Sequence, residues 1–313
     1  MTRYLAGIAA LALVAACGDG NPFSGTPTET DPGDGSSGIP ATLASDLDSF
    51  TYDPANDTLI VEGISRDEDP FEATFRRRPG LDVPGYVAFT AQDDPLDQHA
   101  TAYVQEIAGT RGGVVVTGGQ FTFFNAGGAY GRDGVFDRPP VQGDTGLVTY
   151  AGDYVGLTNL AGDPTDLAPV PPGTDQAVLP GQSAKVTGQI FINVDFGDNN
   201  LSGTIYDRRL DADDATLAPG QTDLAVGDIV LVPATIDGNG EFFGDVELSG
   251  DRTDRGDYGG IFGGPESEAV AGVIFIADHL VSNTQAEEEY GTFVLGKCGS
   301  PSETAAICNS VEP

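Results

Sequence analysis

Histidine, the side chain that most often moves protons in enzymes, occurs twice in this chain of 313 residues, as His99 and His279. With so few histidines a Ser-His-Asp order is not credible, and no glycine-rich phosphate-binding loop precedes a predicted helix. A lone histidine is more often exposed or hydrogen-bonded than a ligand of haem or metal. We therefore predict no catalytic residues, no metal site and no cofactor, and we expect that the protein is not an enzyme.

Two clusters of carboxylates and amides have the oxygen-rich composition that Ca²⁺ prefers. They lie at residues 195–200 (DFGDNN) and 237–241 (DGNGE). Neither follows the EF-hand spacing, because the required Gly and the distal Glu are out of register. Asp, Asn and Gly also favour turns. We interpret both clusters as turns and leave calcium binding by the acidic loops open.

Cys17 closes a short apolar run that follows Arg3, and the segment 14–17 reads Val-Ala-Ala-Cys. The run is shorter than the about 20 residues that a transmembrane helix needs, so residues 1–16 are predicted to be a signal peptide. The small residues before the cysteine resemble the bacterial lipobox, which implies cleavage before Cys17 and acylation of that residue. The alternative is an ordinary signal peptide with an incidental cysteine.

Cys298 and Cys308 remain if Cys17 carries lipid. Their spacing encloses a loop short enough to close easily, and an exported protein occupies an oxidising compartment. We therefore predict a disulfide between Cys298 and Cys308. A metal site is the rival interpretation, although no histidine lies nearby in the sequence.

The composition is strongly acidic, with 14 Lys+Arg against 48 Asp+Glu and a net charge of −34. Such a chain does not bind nucleic acid or an anionic lipid surface by charge. The one basic run is Arg76-Arg77-Arg78, in which Arg76 and Arg78 would share a strand face. It is interpreted as a solvated edge or as a contact for an acidic partner or anionic ligand. Phe121, Phe123 and Phe124 are predicted to be core, and the alternative is an aromatic platform.

The chain divides into five predicted parts. The signal peptide at 1–16 is followed by a lipid-anchored tether at 17–40, which is too polar to offset its ordering entropy. A β-rich region is predicted at 41–143, an eight-stranded barrel at 144–298, and a disulfide loop and tail at 299–313. No segment shows a convincing helical period over 11 residues, so the predicted fold class is all-β.

Eight strand-like segments lie between 146 and 297, joined by hairpin turns or acidic loops, and an up-and-down barrel of eight strands has no free edges. The segment 258–276 holds two of them around a Gly-Gly-Pro turn. The motifs resemble, in order, those of transferrin-binding protein B and related surface lipoproteins of Gram-negative bacteria. The matching segments are GLVTYAGDYVGL, INVDFGDNNLSGTI, IDGNGEFFG, YGGIFGGPESEAVAGVIF and YGTFVLGK.

This resemblance covers residues 144–298, about half the chain. It implies an antiparallel barrel preceded by a smaller sheet, the handle of that family, with no catalytic residues. The large transferrin binders have two such lobes and this chain has room for one, so transferrin itself is not carried over as a ligand.

The predicted function is therefore that of a lipid-anchored, monomeric envelope protein at the outer membrane and on the cell surface. It would bind a protein or small solute, of unknown identity, through the loops Ala161–Gly181 and Asp211–Gly227 and the first region. The barrel interior is expected to be packed with Ile, Val, Phe and Leu. The alternatives are a structural surface protein without a specific ligand, and a hydrolase or calcium-dependent adhesin.

Overall fold

The structure is a computed structural model that describes residues 38–64, 72–121, 123–141, 146–212, 223–280 and 286–310. The predicted signal peptide, Cys17 and most of the predicted tether lie outside these residues. Within the described part of the chain, no helix has the length and hydropathy that a membrane span requires.

A short helix, α1 (Ala41–Ala44), precedes a seven-stranded antiparallel sheet whose strands pair in chain order. We call it the first sheet. Its strands are β1 (Ser49–Asp53), β2 (Thr58–Glu62), β3 (Glu72–Arg77), β4 (Val87–Ala91), β5 (Ala100–Ile107), β6 (Thr110–Thr117) and β7 (Ala126–Arg132).

The second half of the chain forms a closed antiparallel barrel of eight strands, as predicted. The barrel strands are β8 (Leu147–Ala161), β9 (Ser183–Asp195), β10 (Asn200–Asp211), β12 (Ile229–Thr235), β13 (Glu241–Leu248), β14 (Asp251–Gly263), β15 (Ala269–Ala277) and β16 (Glu288–Lys297). The two-residue strand β11 (Leu224–Ala225) pairs with β10 outside this ring. The barrel closes because β16 pairs with β8 and β9 pairs with both β8 and β10.

The barrel interior is packed with Ile, Val, Leu and Phe, as expected, and it also contains three buried tyrosines, Tyr150, Tyr154 and Tyr258. Strand periodicity of two places Ile190, Ile192 and Val194 of β9 inside. Tyr150 and Tyr154 of β8 join the same cluster. This side-chain core fills the barrel.

The hairpin of β14 and β15 brings Gly260 directly opposite Gly272. A Cβ atom at Gly272 would collide with the Phe293 ring. Glycine is therefore needed here for a close approach, which lets the aromatic ring of β16 lie across the neighbouring strand.

The first sheet packs against the outer wall of the barrel. Val114 and Val116 of β6 form one buried cluster with Val155 and Leu157 of β8. Tyr130 of β7 belongs to another, which contains outward side chains of β14, β15 and β16. The barrel thus has one wall that is buried on both faces.

Tyr86, just before β4, contacts the seam at which the barrel closes. The ladder between β16 and β8 is interrupted between Phe293 and Gly296. There the Tyr86 hydroxyl accepts a hydrogen bond from the Val294 backbone N–H at 3.1 Å and donates to the Asp153 carbonyl at 2.9 Å. A side chain next to the first sheet therefore replaces part of the barrel's own hydrogen bonding.

One sequence-based expectation for the first region needs correction. Strand β6 ends at Thr117, and beyond it Gln120 and Phe123 form an isolated bridge. Phe121 and Phe123 are 50% and 51% exposed and are not core. The glycine-rich strand β7 was not predicted, since glycine weakens strand propensity.

Candidate functional site: the long-loop end of the barrel

The long connections of the barrel begin and end at one end, which we call the long-loop end. They are residues 162–182, 212–228 and 278–287, and the short turn at 249–250 lies at the same end. Residues 281–285 of the third connection lie outside the described part of the chain. The opposite end carries the turns 196–199, 236–240 and 264–268. Both loops that the sequence nominated for binding therefore lie at the same end, although residues 213–222 of the second lie outside the described part.

A β-bulge in β10 directs an arginine into the barrel. Tyr206 pairs with Gln189, whereas Arg209 pairs with Thr187, so β10 contains one extra residue. Asp207 occupies the bulge with a positive φ of 51°. As a result Arg208 is inward, and its side chain is fully buried.

Glu289 of β16 lies at the centre of a buried polar cluster, which we call the barrel cluster. Its Oε2 accepts hydrogen bonds from the Arg208 guanidinium at 2.6 Å and from His279 Nε2 at 2.9 Å. Its Oε1 accepts a hydrogen bond from the Tyr154 hydroxyl at 2.6 Å. Arg208 also donates to the Gly227 carbonyl at 2.7 Å. Side chains from three strands and one loop are thereby joined at one carboxylate.

Glycines on the adjoining strands leave room for these large side chains. A Cβ atom at Gly156 would lie 2.5 Å from Glu289 Oε1, and one at Gly188 would lie 3.1 Å from Arg208 Cγ. A Cβ at Gly291 would collide with the Tyr154 hydroxyl. The inward glycines and the inward polar residues thus form one packing arrangement.

The charges of the cluster keep Glu289 ionised. Burial alone would raise the pKa of Glu289, but Arg208, His279 and Tyr154 outweigh it and lower the pKa to about 2. Burial raises the pKa of Tyr154 well above its usual value, and the Glu289 carboxylate raises it further. The cluster is therefore a carboxylate held by a cation and two further donors, and its chemistry is structural.

A second polar cluster attaches the first long loop to the first sheet. We call residues 162–182 the strap. Asp166 in the strap pairs with Arg78 at 3.0 Å and with His99 Nε2 at 3.0 Å, and it accepts a hydrogen bond from Thr90 at 2.7 Å. Burial acts to raise the pKa of Asp166, but the hydrogen bonds from His99 and Thr90 and the charge of Arg78 lower it. Burial lowers the pKa of His99.

Backbone contacts complete the attachment of the strap. The Gly181 N–H donates to the Gly119 carbonyl at 3.0 Å, and the Gln120 side chain donates to the Val178 carbonyl at 2.9 Å. A Cβ at Gly118 would collide with the Gly181 carbonyl. The strap is thus a loop of the barrel whose position is set by the first sheet.

Exposed apolar side chains lie beside the strap. Leu96, Phe121 and Phe123 are 40%, 50% and 51% exposed. The Gln120 amide, which binds Val178 of the strap, also donates to the Leu96 carbonyl at 2.8 Å. We call these three exposed side chains the apolar rim.

The two histidines lie in different clusters, and each is paired with a carboxylate. In the described residues no group of three or more His, Cys, Asp and Glu could hold a metal ion. The two Asp-rich clusters are turns: Asp195 accepts from the N–H groups of Gly197 and Asp198, and Asp237 accepts from that of Glu241.

Two arginines of the basic run bind carboxylates within the chain. Arg77 pairs with Asp82 at 2.6 Å and Arg78 with Asp166, whereas Arg76 is exposed. Cys298 and Cys308 form a disulfide with a Cα–Cα distance of 5.2 Å. Lipidation of Cys17 stays a prediction.

Sequence reasoning did not identify Arg208, Glu289 or Tyr154. One available signal was the inward row of β16, in which Glu289 alternates with Gly291, Phe293 and Leu295. A charged residue on an otherwise apolar strand face indicates a buried partner.

No protein-family model matches the sequence, and no curated protein matches it. Among solved structures, the chain is similar to a double mutant of transferrin-binding protein B from Haemophilus parasuis, with 14% identity and a TM-score of 0.42 over 78% of this chain and 43% of that chain. It is similar to the Neisseria meningitidis protein of the same name, with 13% identity and a TM-score of 0.35 over 80% of this chain and 51% of that chain.

It is also similar to the N-lobe domain of lactoferrin-binding protein B from Moraxella bovis, with 15% identity and a TM-score of 0.29 over 79% of this chain and 95% of that chain. The chain spans about half the length of the transferrin-binding protein B chains that it matches. Its fold, a barrel with a preceding sheet, is similar to that of transferrin-binding protein B, the resemblance that the barrel motifs predict.

Proposed function

We propose that the protein is a lipid-anchored, non-catalytic protein of the outer membrane that binds a protein partner at the cell surface. The Val-Ala-Ala-Cys segment at 14–17 supports the anchor. The polar tether that follows would hold the folded part away from the membrane. The partner would bind at the apolar rim and the adjoining strap.

The observation that carries the binding proposal is the exposure of two phenylalanines at a position fixed by hydrogen bonds. Phe121 and Phe123 lie next to Gln120, whose side-chain amide is hydrogen-bonded to the strap. Large aromatic side chains are the usual anchors of protein interfaces. A fixed platform also costs less ordering entropy on binding than a flexible loop.

The charge around the rim indicates the chemistry of the partner. Asp93, Asp94, Asp97 and Asp175 are in the flanking segments, and the whole chain has a net charge of −34. Electrostatic complementarity steers association. The proposed partner therefore presents an apolar patch bordered by basic residues.

Photo-crosslinking on intact cells tests the binding proposal. Phe121 is replaced by p-benzoylphenylalanine, and the matched control carries the same replacement at Phe243, which is 47% exposed on β13. The cells are illuminated in the fluid in which they naturally live. A discrete adduct between this protein and a partner is expected from position 121 only. Equal adducts at both positions, or none at 121, would favour a structural surface protein.

Metabolic labelling with palmitate tests the anchor separately. The wild-type chain is expected to incorporate label and to fractionate with the outer membrane. Cys17→Ser is expected to abolish both properties while leaving the fold intact. Equal incorporation in the variant would show that Cys17 is not the acylated residue.

A further inference from the structure

Part of the barrel's outer wall carries polar side chains in cross-strand rows. Directly opposite residues of antiparallel strands share a face, so Thr149, Asn193 and Ser202 form one outward row across β8, β9 and β10. Asp153, Gln189 and Tyr206 form a second row nearer the long-loop end. We call the outward surface that contains these two rows the polar wall.

A groove lies at each end of the polar wall. The larger has a volume of about 680 Å³ and lies between the first row and the disulfide loop, which contributes Cys298 and Glu303. The smaller has a volume of about 260 Å³ and lies between the second row and Val83 and Pro84 of the first region. The larger volume falls within the range of small-molecule sites.

An aromatic pair lies between the two grooves. Phe191 of β9 and Tyr206 of β10 have ring centroids 6.0 Å apart, and both side chains are half-buried. Because Phe191 lies two residues from Asn193 along an extended strand, its ring and that amide point to the same side. The wall therefore combines apolar ring faces with flanking polar groups.

The polar groups have unused hydrogen-bonding capacity. Thr149 Oγ1 donates to Asn193 Oδ1 at 2.8 Å, which occupies the amide oxygen. In the described part of the chain, the Asn193 amide nitrogen and the side chains of Asn200 and Ser202 have no hydrogen-bond partner. Amides and hydroxyls can donate and accept at once, as sugar hydroxyls do.

The charge of the grooves restricts the ligand class. Asp153 lines the smaller groove and Asp195 and Glu303 line the larger, and among the described residues no Lys or Arg lines either groove. This sign of charge disfavours nucleic acids and sulfated or other anionic polymers. Added-strand binding by a peptide is also disfavoured, because β9 and β10 are each paired on both sides.

We propose that the polar wall binds a neutral oligosaccharide laid across β8, β9 and β10. The faces of its sugar rings pack on Phe191 and Tyr206, since aromatic side chains offer an apolar surface beside polar groups. Its hydroxyls bind Asn193, Ser202 and the carboxylates of the grooves. This surface is distinct from the apolar rim, so its test is independent of the proposed protein partner.

Calorimetric titration of the folded chain tests the proposal with three tetrasaccharides. The first is built of N-acetyllactosamine units and represents the glycans of a glycoprotein. The second is a β-linked glucose oligomer and represents a bacterial polysaccharide. The third is a sulfated heparin fragment and represents an anionic polymer. The proposal expects at least one neutral probe to bind, and the preferred probe identifies the source. The sulfated probe should bind at least about tenfold more weakly.

Two variants locate the site. The double variant Asn193→Ala/Tyr206→Ala is expected to weaken binding of the neutral probe by at least about tenfold. Phe243→Ala, which removes an exposed aromatic from β13 of the same barrel, is expected to leave binding unchanged. The proposal is overturned if neither neutral probe binds, if the sulfated probe binds equally well, or if Phe243→Ala has the same effect as the double variant.

Discussion

The Glu289 carboxylate and the Arg208 guanidinium meet inside the barrel at 2.6 Å, and both side chains are 0% exposed. A pair removed this completely from water gains stability only if its remaining groups are also satisfied. Tyr154 and His279 occupy two further positions on the carboxylate. By contrast, Arg208 Nε and His279 Nδ1 are buried without a hydrogen-bond partner in the described residues. The cluster is therefore sensitive to the loss of any one member.

Removing one charge of this pair is expected to destabilise the fold more than removing both. Glu289→Gln and Arg208→Met should each lower the free energy of unfolding by about 3–5 kcal/mol, because each leaves a buried group without its partner. The loss in the free energy of unfolding of the double variant should be smaller than the sum of the two single losses. Urea unfolding followed by circular dichroism measures all four proteins. Additive losses would show that the two side chains do not interact.

The low pKa of Glu289 predicts how stability depends on pH. The pKa is about 2 in the fold, below the usual value of 4.5, so the unfolded chain binds the proton more readily. The stabilisation is fully present above pH 4.5 and is lost as the pH falls towards 2. It amounts to about 3 kcal/mol. Urea unfolding of wild type and Glu289→Gln at pH 7, 4.5 and 3 should show a difference that shrinks with acid. A constant difference would contradict the low pKa.

Two glycine substitutions distinguish a glycine that close packing requires from a glycine that can be replaced by alanine. Gly291→Ala would place a Cβ against the Tyr154 hydroxyl, which is buried and bound to Glu289, so a loss of about 1–3 kcal/mol is expected. Gly238→Ala is the matched control, because in the described residues no atom beyond its two chain neighbours lies within 4 Å of its added Cβ. The control should be neutral or slightly stabilising. Equal thermal shifts in the two variants would refute the packing of Tyr154 against Gly291.

Asp166 is expected to control the order of the strap. Asp166→Asn removes the charge that binds Arg78 and His99, so amide hydrogen exchange should accelerate across residues 162–182. The loss of global stability should be about 1–3 kcal/mol. Asp163→Asn is the control, since Asp163 is an exposed acid of the same loop. Unchanged exchange in Asp166→Asn would mean that the backbone contacts alone hold the strap.

The disulfide is expected to fix the C-terminal segment on the barrel. Cys308 and Ala305 pack on Ala151 of β8, and the bond joins residues separated by 10 positions. The Cys298→Ser/Cys308→Ser variant should lose about 2–3 kcal/mol of stability. It should also be cleaved faster by protease within 299–310. Reduction of the wild type provides the control and should reproduce both effects.

The barrel was predictable because its short turns have distinctive sequences. Residues 196–200 and 237–240 combine Asp, Asn and Gly, and the strands beside them alternate in the period of two that a half-buried wall requires. The glycine-rich strand β7 has neither signal. Its seven residues are nevertheless buried, because α1 and the barrel wall pack around it. Tertiary packing rather than local propensity determines that strand.

The barrel cluster was harder to predict from the sequence. Strict alternation from Leu201 and Ile205 would place Asp207 inside the barrel and Arg208 outside. The extra residue in β10 reverses this order, and nothing in the local sequence marks the bulge. His279 comes from a separate loop. Only the closure of the barrel brings Arg208 to His279 and Glu289.

Tyr86 has a consequence for how the chain folds. Its hydroxyl bonds to both strands at the closing seam, so the seam is incomplete until the first region has docked. The last step of barrel closure and the docking of the first sheet should therefore be one event. We expect a single cooperative unfolding transition for the two sheets, despite their separate hydrogen-bond ladders.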